Sequence, residues 1–331
     1  MTEDEIVAAI RAIVEYEPDG SRHRRNSRVY LGIGDDAALW QPSRSHRSAI
    51  STDMLVEGVH FTRSTMSLED AGWRAMAANL SDLAAMGARP VLATVALGVP
   101  RAAAFDELVS LYRGLAAAAK HGRVDIVGGD LTAGDVLTVA ITVVGEVRRS
   151  NALTRSGGRP GDVLAVTGPL GAARAGLAVA SAQASLESPL ADAALDAFRR
   201  PQARLAEGRF LGANAAVRAM IDCSDGLSTD LHRLCAASGC GAELESVPVA
   251  DAAAAVAREQ GEQAERFALA GGEDFELLVA VRERAFPHVA ARYAARFGKE
   301  LLRVGVLRSE AGVLWGGQAL ARTGWDHFSA G

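Results

Sequence analysis

The feature that most constrains this chain is the regular alternation of short apolar runs with longer stretches of helical periodicity. The runs suited to strands lie at residues 29–33, 48–54, 91–97, 124–127 and 136–147. Apolar residues recur at helical spacing over Glu3–Glu15, 68–86 and 102–120. This alternation predicts an α/β (α+β) protein whose helices cover sheets. The polar stretch 18–28 is interpreted as a loop.

A turn-rich, basic segment, RRSNALTRSGGRPGD at 148–162, interrupts this pattern. A chain of 331 residues, 49% of them hydrophobic, is long enough to bury two cores. The sequence therefore predicts two domains, 1–148 and 149–331. In the second half the pattern resumes, with a strand ending at Asp222, a helix from about Leu227, and strands near 275–281 and 301–307.

Composition and charge argue against several classes of protein. The net charge is −5, the only lysines are Lys120 and Lys299, and the arginines form no long basic run, so nucleic acid is not expected as a partner. The sequence contains no stretch of about 18 apolar residues, so no membrane span is predicted. The acidic start MTEDEIVAAI is unlike a signal peptide. Three cysteines without paired C-x-x-C spacing favour buried thiols in a reducing compartment. A cytoplasmic protein is expected.

Aspartates in apolar or small-residue surroundings carry the functional signal. None has a lysine or arginine within its own segment, and each taken alone is more often a turn former or helix cap. Together they suggest a shared site, because converging carboxylates repel unless a cation lies between them, and Mg²⁺ prefers oxygen ligands. These residues are Asp36 in LGIGDDAALW, Asp53 in SAISTDMLV, Asp82 in AANLSDLAAMGA, Asp130 in VDIVGGDLT, and Asp222 and Asp225 in AMIDCSDGLS.

Glycine pairs at 128–129 and 271–272 precede acidic residues. Such glycines permit close approach of the backbone to a ligand; alternatively, they form only a tight loop. The chain has no G-x-x-x-x-G-K-[ST] loop and no H-R-D loop of the protein kinases. If ATP binds, several metal ions must neutralise the charge that a phosphate-binding lysine often neutralises.

Eight motifs, in order along the chain, resemble the thiamine-monophosphate kinase family. They are LGIGDDAAL, AISTDMLVEGVHF, NLSDLAAMGA, IVGGDLT, LTRSGGRPGD, IDCSDGLSTDL, LAGGEDFELL and GWDHF. The resemblance implies the two-domain architecture of aminoimidazole ribonucleotide synthetase. It also implies a homodimer paired through the N-terminal mixed sheets, with ATP and several Mg²⁺ ions between domain surfaces. In this scheme, domain 1–148 binds ATP and Mg²⁺ and dimerises, and domain 149–331 completes the active site.

The same resemblance assigns roles to residues. Magnesium ligands would be Asp36, Ser51, Thr52, Asp53, Asp82, Asp130, Asp222 and Asp225. ATP contacts would be Tyr112, Gly129, Asp130, Arg155 and Ser224. Thiamine monophosphate contacts would be His60, Glu273 and Trp325. Without the resemblance, His60 and Trp325 would be interpreted as structural residues, and Arg155 as a linker charge.

The implied reaction is direct in-line transfer of a phosphoryl group from ATP to thiamine monophosphate, the last step in making thiamine diphosphate. No general acid or base is implied, and the transfer is metal-assisted through Asp53 and Asp130. Two alternatives stay open: another ATP-using enzyme of the superfamily, and a nucleotide-binding regulatory module without turnover. Selenophosphate synthetase is disfavoured because it uses a cysteine near the N-terminus, and the first cysteine here is Cys223.

Overall fold

The computed structural model describes residues 3–16, 28–33 and 37–324, with the side chains of residues 3 and 4 left aside. The chain divides into two compact units. The first comprises residues 1–83 and 89–149, and the second comprises 84–88 and 150–331.

The first half of the chain builds a four-stranded mixed sheet with the order β3-β6-β4-β5. Strands β4 and β5 are parallel and the other two pairs are antiparallel; β1 and β2 form a separate antiparallel pair. The elements are α1 Glu3–Glu15, β1 Val29–Leu31, β2 Leu39–Trp40, β3 His46–Val56, α2 Leu68–Ala85, β4 Arg89–Pro100, α3 Phe105–Gly122, β5 Asp125–Gly134 and β6 Thr138–Arg148.

The two faces of this sheet differ in burial. Val139, Ile141 and Val143 of β6 point to the buried face, as the period of two in a strand requires. On the other face, Ile50 and Met54 of β3 are 69% and 51% exposed. One face of the unit-1 sheet is therefore a core surface, and the other presents large apolar side chains to solvent.

The second unit has a seven-stranded sheet with the order β13-β12-β9-β11-β7-β10-β8, in which β9 and β12 are parallel and the other pairs antiparallel. The elements are β7 Val163–Val166, α4 Ala172–Ala180, α5 Leu190–Arg199, α6 Leu205–Gly212, β8 Val217–Asp222, α7 Leu227–Ser238, β9 Gly241–Leu244, α8 Asp251–Gln260, α9 Ala264–Ala270, β10 Leu277–Val281, α10 Phe286–Phe297, β11 Leu302–Arg308, β12 Val313–Trp315 and β13 Gln318–Ala319.

The central strands β7 and β10 are buried along their whole length. On one side, Leu164 and Leu278 pack with residues of α7, including Leu231. On the other side, alternate residues such as Val279 pack with Tyr293 of α10. Helices on both faces explain why these strands are continuous apolar runs rather than alternating ones.

The predicted fold class is confirmed. The helix Glu3–Glu15 and the predicted strands and helices all occur, with ends that differ by a few residues; β5, predicted to end at 127, continues to Gly134. The predicted loop 18–28 lies outside the described residues except at its last position. No helix in the described part of the chain is long and apolar enough to span a bilayer.

Candidate active site

Two proposed metal ligands of the first unit meet directly. Ser51 of β3 donates a hydrogen bond of 2.5 Å from its Oγ to Oδ2 of Asp82, which lies on α2. Ser51 shares the buried side of its strand with the residues that face the helices, so strand and helix together fix its hydroxyl. Asp82 is thus tied to β3, rather than being only a surface residue of its helix.

The neighbouring candidates on β3 are more exposed. Thr52 donates from Oγ1 to the backbone oxygen of Ile141 at 2.9 Å and accepts from Oγ1 of Thr142 at 3.2 Å. Asp53 is exposed, and its Oδ1 accepts the backbone N–H of Met54 at 2.8 Å. That bond orients the Asp53 carboxylate without a cationic partner in the contact.

Gly129 and Asp130 lie within β5, and both are exposed. A Cβ on Gly129 would collide with the backbone oxygen of Val95 in β4. Glycine is therefore required for β5 to approach β4 this closely, and the approach sets the position of Asp130, which pairs with Ala96.

The sheet places Asp53 and Asp130 on opposite edge strands. Asp53 pairs with Ile141 of β6, which pairs with Val95 of β4. With the order β3-β6-β4-β5, the two acids are three strand spacings apart, about 14 Å at roughly 4.8 Å per spacing. Two oxygens on one Mg²⁺ lie about 4 Å apart or less, since each is about 2.1 Å from the ion. One copy of the chain does not bring these two carboxylates to a single ion.

His60 lies in the turn that follows β3 and is half-buried. Its Nδ1 accepts the backbone N–H of Val56 at 3.1 Å. An accepting Nδ1 carries no proton, so the neutral ring carries its proton on Nε2 and presents a hydrogen-bond donor there. The turn is anchored by Arg63, whose guanidinium pairs with Glu57 and Glu107.

Tyr112, the predicted contact to the adenine ring, is buried in α3 and only 4% exposed. Burial raises the pKa of its hydroxyl above the usual value. Its position favours a core role, and its contact with ATP stays a prediction.

In the second unit, two loops are joined by backbone hydrogen bonds. Asp222 ends β8 and is buried, and the next residues form the loop 223–226. Glu273 donates its N–H to the Ser224 oxygen at 2.7 Å, and Phe275 donates to the Cys223 oxygen at 3.0 Å. A candidate ATP contact, Ser224, is therefore adjacent to a candidate acceptor contact, Glu273.

The second of these loops, 273–276, holds two non-glycine residues in the left-handed region, with φ of 67° at Glu273 and 50° at Phe275. Such backbone costs free energy and persists where the surroundings hold it. The Asp274 carboxylate accepts N–H groups of Gly171 at 2.7 Å and Ala173 at 3.2 Å, at the start of α4. Burial raises the pKa of Asp274 to about 7, although these bonds oppose the shift.

The far end of the same loop is held by Glu276, which is buried. Arg204 donates to both of its oxygens, with the shortest contact, Nη2 to Oε1, at 2.5 Å. Thr167 donates from Oγ1 to Oε2 at 2.5 Å. The residues around Glu273 are therefore fixed at both ends by carboxylates, which the sequence motif GGEDFE did not reveal.

Asp225 is not an isolated carboxylate, although its own segment AMIDCSDGLS contains no arginine or lysine. Arg233, eight residues later on α7, donates from Nη1 to Asp225 Oδ2 and also to Asp230 Oδ1, the latter at 2.8 Å. Asp230 is fully buried and accepts the Asp225 N–H at 3.0 Å. Burial, and then the nearby charges of Asp222 and Asp225, raise the pKa of Asp230 to about 7.

Arg155 is exposed, as an arginine that binds phosphate from solvent must be. Its backbone oxygen accepts a hydrogen bond from the Ser238 hydroxyl at 2.9 Å. The backbone oxygen of the preceding residue, Thr154, accepts one from the Met220 N–H at 3.0 Å. The segment that carries Arg155 therefore runs beside β8, the strand that ends at Asp222.

The described chain ends against α7. Gly324 donates its N–H to Oγ1 of Thr229 at 3.2 Å, and Thr323 donates to Oγ of Ser228 at 3.3 Å. A Cβ on Gly324 would collide with the backbone oxygen of Asp225. Two predicted site residues, Asp36 and Trp325, lie outside the described residues.

The donor set fits a hard divalent cation. Carboxylate and hydroxyl oxygens make up all the candidate ligands in both units, which suits Mg²⁺ or Mn²⁺ and not zinc. At Asp225 a guanidinium already serves as the counter-charge. Over residues 3–16, 28–33 and 37–324, no three His, Cys, Asp or Glu side chains are grouped to hold a metal ion. Further ligands would come from Asp36, which lies outside the described residues, from substrate phosphates, from water or from another copy of the chain.

Comparison with known proteins defines the class of the fold. The N-terminal domain of AIR synthase related proteins matches residues 34–147, and the C-terminal domain of the same proteins matches residues 159–308. Both domains occur once and in tandem.

The relatives narrow this class. Thiamine-monophosphate kinase of Escherichia coli K12 is 41% identical over 268 residues, covering 78% of this chain and 79% of the relative. The crystal structure of thiamine-monophosphate kinase from Stenotrophomonas maltophilia K279a superposes with a TM-score of 0.82 at 32% identity, covering 96% and 98% of the two chains. AaThiL, complexed with AMPPCP and TMP, superposes with a TM-score of 0.77 at 28% identity, covering 87% and 89%.

The chain belongs to the thiamine-monophosphate kinase family of the AIR synthase-related proteins.

Proposed function

We infer that this chain is a thiamine-phosphate kinase, which transfers the terminal phosphoryl group of ATP to thiamine monophosphate and releases thiamine diphosphate and ADP. Family membership supports the reaction. Within the chain, the observation that carries it is the 2.7 Å backbone bond between Glu273 and Ser224, because it keeps a proposed acceptor contact beside a proposed nucleotide contact.

The attacking group is a phosphate oxygen, and this determines what the protein must do. The second ionisation of a phosphate monoester has a pKa of about 6, so at neutral pH the nucleophile is already mostly deprotonated. A general base is unnecessary. The chain must hold two polyanions in line and stabilise charge on the transferring group. Bound Mg²⁺ would neutralise phosphate charge, held by Ser51, Thr52, Asp53, Asp82, Asp130, Asp222 and Asp225, with Asp36 also proposed.

The remaining contacts use groups of known exposure. Arg155 would pair with ATP phosphates, since its guanidinium is exposed and always charged. His60 would donate from Nε2 to thiamine monophosphate, because its Nδ1 is occupied by the Val56 N–H. Gly129 has no side chain and Ser224 a short one, so the backbone at both residues would approach the nucleotide closely. The contact of Tyr112 with ATP is the least supported of the set, because of its burial.

We also propose a homodimer that pairs the free faces of two unit-1 sheets. The exposed Ile50 and Met54 give that face an apolar character that pairing would bury. Closing two four-stranded sheets against each other also removes their edges. If β3 of one copy lies beside β5 of the other, the strand that carries Asp53 in the first is next to the strand that carries Asp130 in the second. The two strands are then one spacing of about 4.8 Å apart, instead of the three spacings within one copy.

The alternatives predict different products. Another enzyme of the superfamily would consume ATP without forming thiamine diphosphate, and a regulatory module would bind nucleotide without turnover. A cytoplasmic location is proposed from the three free, buried cysteines. The roles of the two predicted domains remain predictions: binding of ATP and Mg²⁺ and dimerisation for 1–148, and completion of the active site for 149–331.

Activity should require Mg²⁺ or Mn²⁺, because all proposed ligands are oxygens. We expect thiamine diphosphate and ADP in equal amounts when the chain is given thiamine monophosphate, ATP and Mg²⁺. Exhaustive chelation should abolish both products, and added Mg²⁺ should restore them. ATP consumption without thiamine diphosphate would contradict the proposed reaction, and full activity after chelation would contradict the metal assignment.

Trp325→Ala should weaken binding of thiamine monophosphate and leave ATP binding nearly unchanged. Trp325 follows Gly324, and Gly324 lies against Asp225 and Thr229. Gly324 is therefore next to a proposed metal ligand. Loss of aromatic stacking and buried area should raise KM for thiamine monophosphate by about tenfold or more.

Trp315→Ala is the matched control, since Trp315 packs on the unit-2 core beside Arg266. It should lower the melting temperature without a selective change in either KM. An unchanged KM for thiamine monophosphate in Trp325→Ala would remove Trp325 from the site.

A further inference from the structure

The guanidinium of Arg233 contacts two carboxylates that differ in exposure. Its Nη1 bonds both Asp225 and Asp230, yet the Asp225 side chain is 25% exposed and that of Asp230 is 0% exposed. Arg233 itself is 36% exposed. One nitrogen therefore joins an enclosed acid to an acid that solvent and ions can reach.

The two contacts also differ in how strongly the backbone and its hydrogen bonds hold the partners together. Arg233 and Asp230 are three residues apart on α7, so the helix itself keeps them together. Asp230 is fixed further by the N–H of Asp225 at 3.0 Å. Asp225 lies in the loop before α7. Among residues 3–16, 28–33 and 37–324, its carboxylate makes no hydrogen bond other than that to Arg233. The Arg233–Asp225 contact is the one that can exchange for another cation.

We propose that Arg233 is a tethered counter-ion: it neutralises Asp225 while no divalent cation is bound, and a cation that binds Asp225 displaces it while Asp230 retains it. The proposal rests on the assignment of Asp225 as a metal ligand. Asp222, Asp225 and Asp230 would repel one another without a cation, and the guanidinium lowers that cost in the metal-free protein. In this scheme metal binding breaks the Arg233–Asp225 contact, so Arg233 sets the cation concentration that the site requires.

Arg233→Gln tests this without substrate. Melting temperature is measured against Mg²⁺ concentration in the full chain, and the midpoint of the Mg²⁺-dependent rise is compared with that of the unaltered protein. We expect a lower melting temperature in the absence of metal. The Mg²⁺ concentration at the midpoint should fall about three- to fivefold. A change of this size corresponds to the upper range of interaction free energies of partly exposed ion pairs.

The matched control is Arg308→Gln. Arg308 pairs with Glu243 at 3.1 Å, with side chains 33% and 27% exposed, so the substitution removes the same charge from a similar pair. Its Mg²⁺ midpoint should not change. Arg233→Lys keeps the charge but cannot reproduce the guanidinium geometry, and its midpoint should lie between those of Arg233→Gln and the unaltered protein.

The change in the Mg²⁺ midpoint caused by Arg233→Gln should also depend on Asp225. In an Asp225→Asn background, Arg233→Gln should leave the Mg²⁺ midpoint unchanged, because the contact that it relieves is already absent. A midpoint that rises, or that matches the Arg308→Gln value, would overturn the role of Arg233 and leave the proposed kinase activity intact. If the unaltered protein shows no Mg²⁺-dependent rise, the metal assignment fails and this inference fails with it.

Discussion

Asp53→Asn and Asp130→Asn should each lower kcat by about a thousandfold or more, by analogy with the loss of a main electrostatic group in other active sites. Asparagine keeps the size of the side chain and one oxygen but loses the negative charge that holds a divalent cation. Both residues are exposed, so the fold should survive. Steady-state kinetics at saturating Mg²⁺ and a melting curve for each variant measure the two effects.

Asp135→Asn is the matched control for both substitutions. Asp135 is exposed and lies between β5 and β6, five residues beyond Asp130, and it belongs to none of the proposed contacts. This control loses the same charge from the turn that joins two strands of the same sheet, so its kcat should stay near normal. Near-normal kcat in both test variants would rule out their proposed role, and an equal loss in Asp135→Asn would indicate a general effect of charge.

Local patterns in the sequence were sufficient for most of the elements. The strand predicted at 275–281 contains the continuous apolar run 277–281. This run forms β10, which is buried because helices cover both faces of the sheet. The helix Glu3–Glu15 was predicted to the residue from its spacing. Strands β12 and β13 were not predicted, because three and two residues carry too little periodicity to register.

The candidate site was harder to predict, because its geometry depends on pairing between distant segments. Motifs located Asp53 and Asp130 but not the strand order that separates them. The segment AMIDCSDGLS does not reveal the partner of Asp225, because Arg233 lies eight residues further on and the first two turns of α7 bring it back to Asp225. The anchors Asp274 and Glu276 were hidden in the same way, because their partners lie about 70 to 110 residues away.

Mixing the inactive Asp53→Asn and Asp130→Asn proteins should restore activity if the metal site is built from two copies. In a mixed dimer, one composite site carries both substitutions and the other carries neither. Random exchange of subunits gives half mixed dimers, so about a quarter of all sites should be intact, as two-fold symmetry requires. The two proteins would be co-expressed with different tags, or exchanged in mild denaturant, and assayed for thiamine diphosphate.

Purified mixed dimers, selected through both tags, should reach about half of the normal activity per dimer, because one of two symmetric sites is intact. Asp53→Asn mixed with itself controls for recovery caused by the procedure. If Asp53 and Asp130 acted within one copy, every site in a mixed dimer would carry one substitution and nothing would be restored. Verified mixed dimers without activity would therefore place the two carboxylates at separate ions of one copy, whereas a chain that stays monomeric in light scattering would contradict the dimer itself.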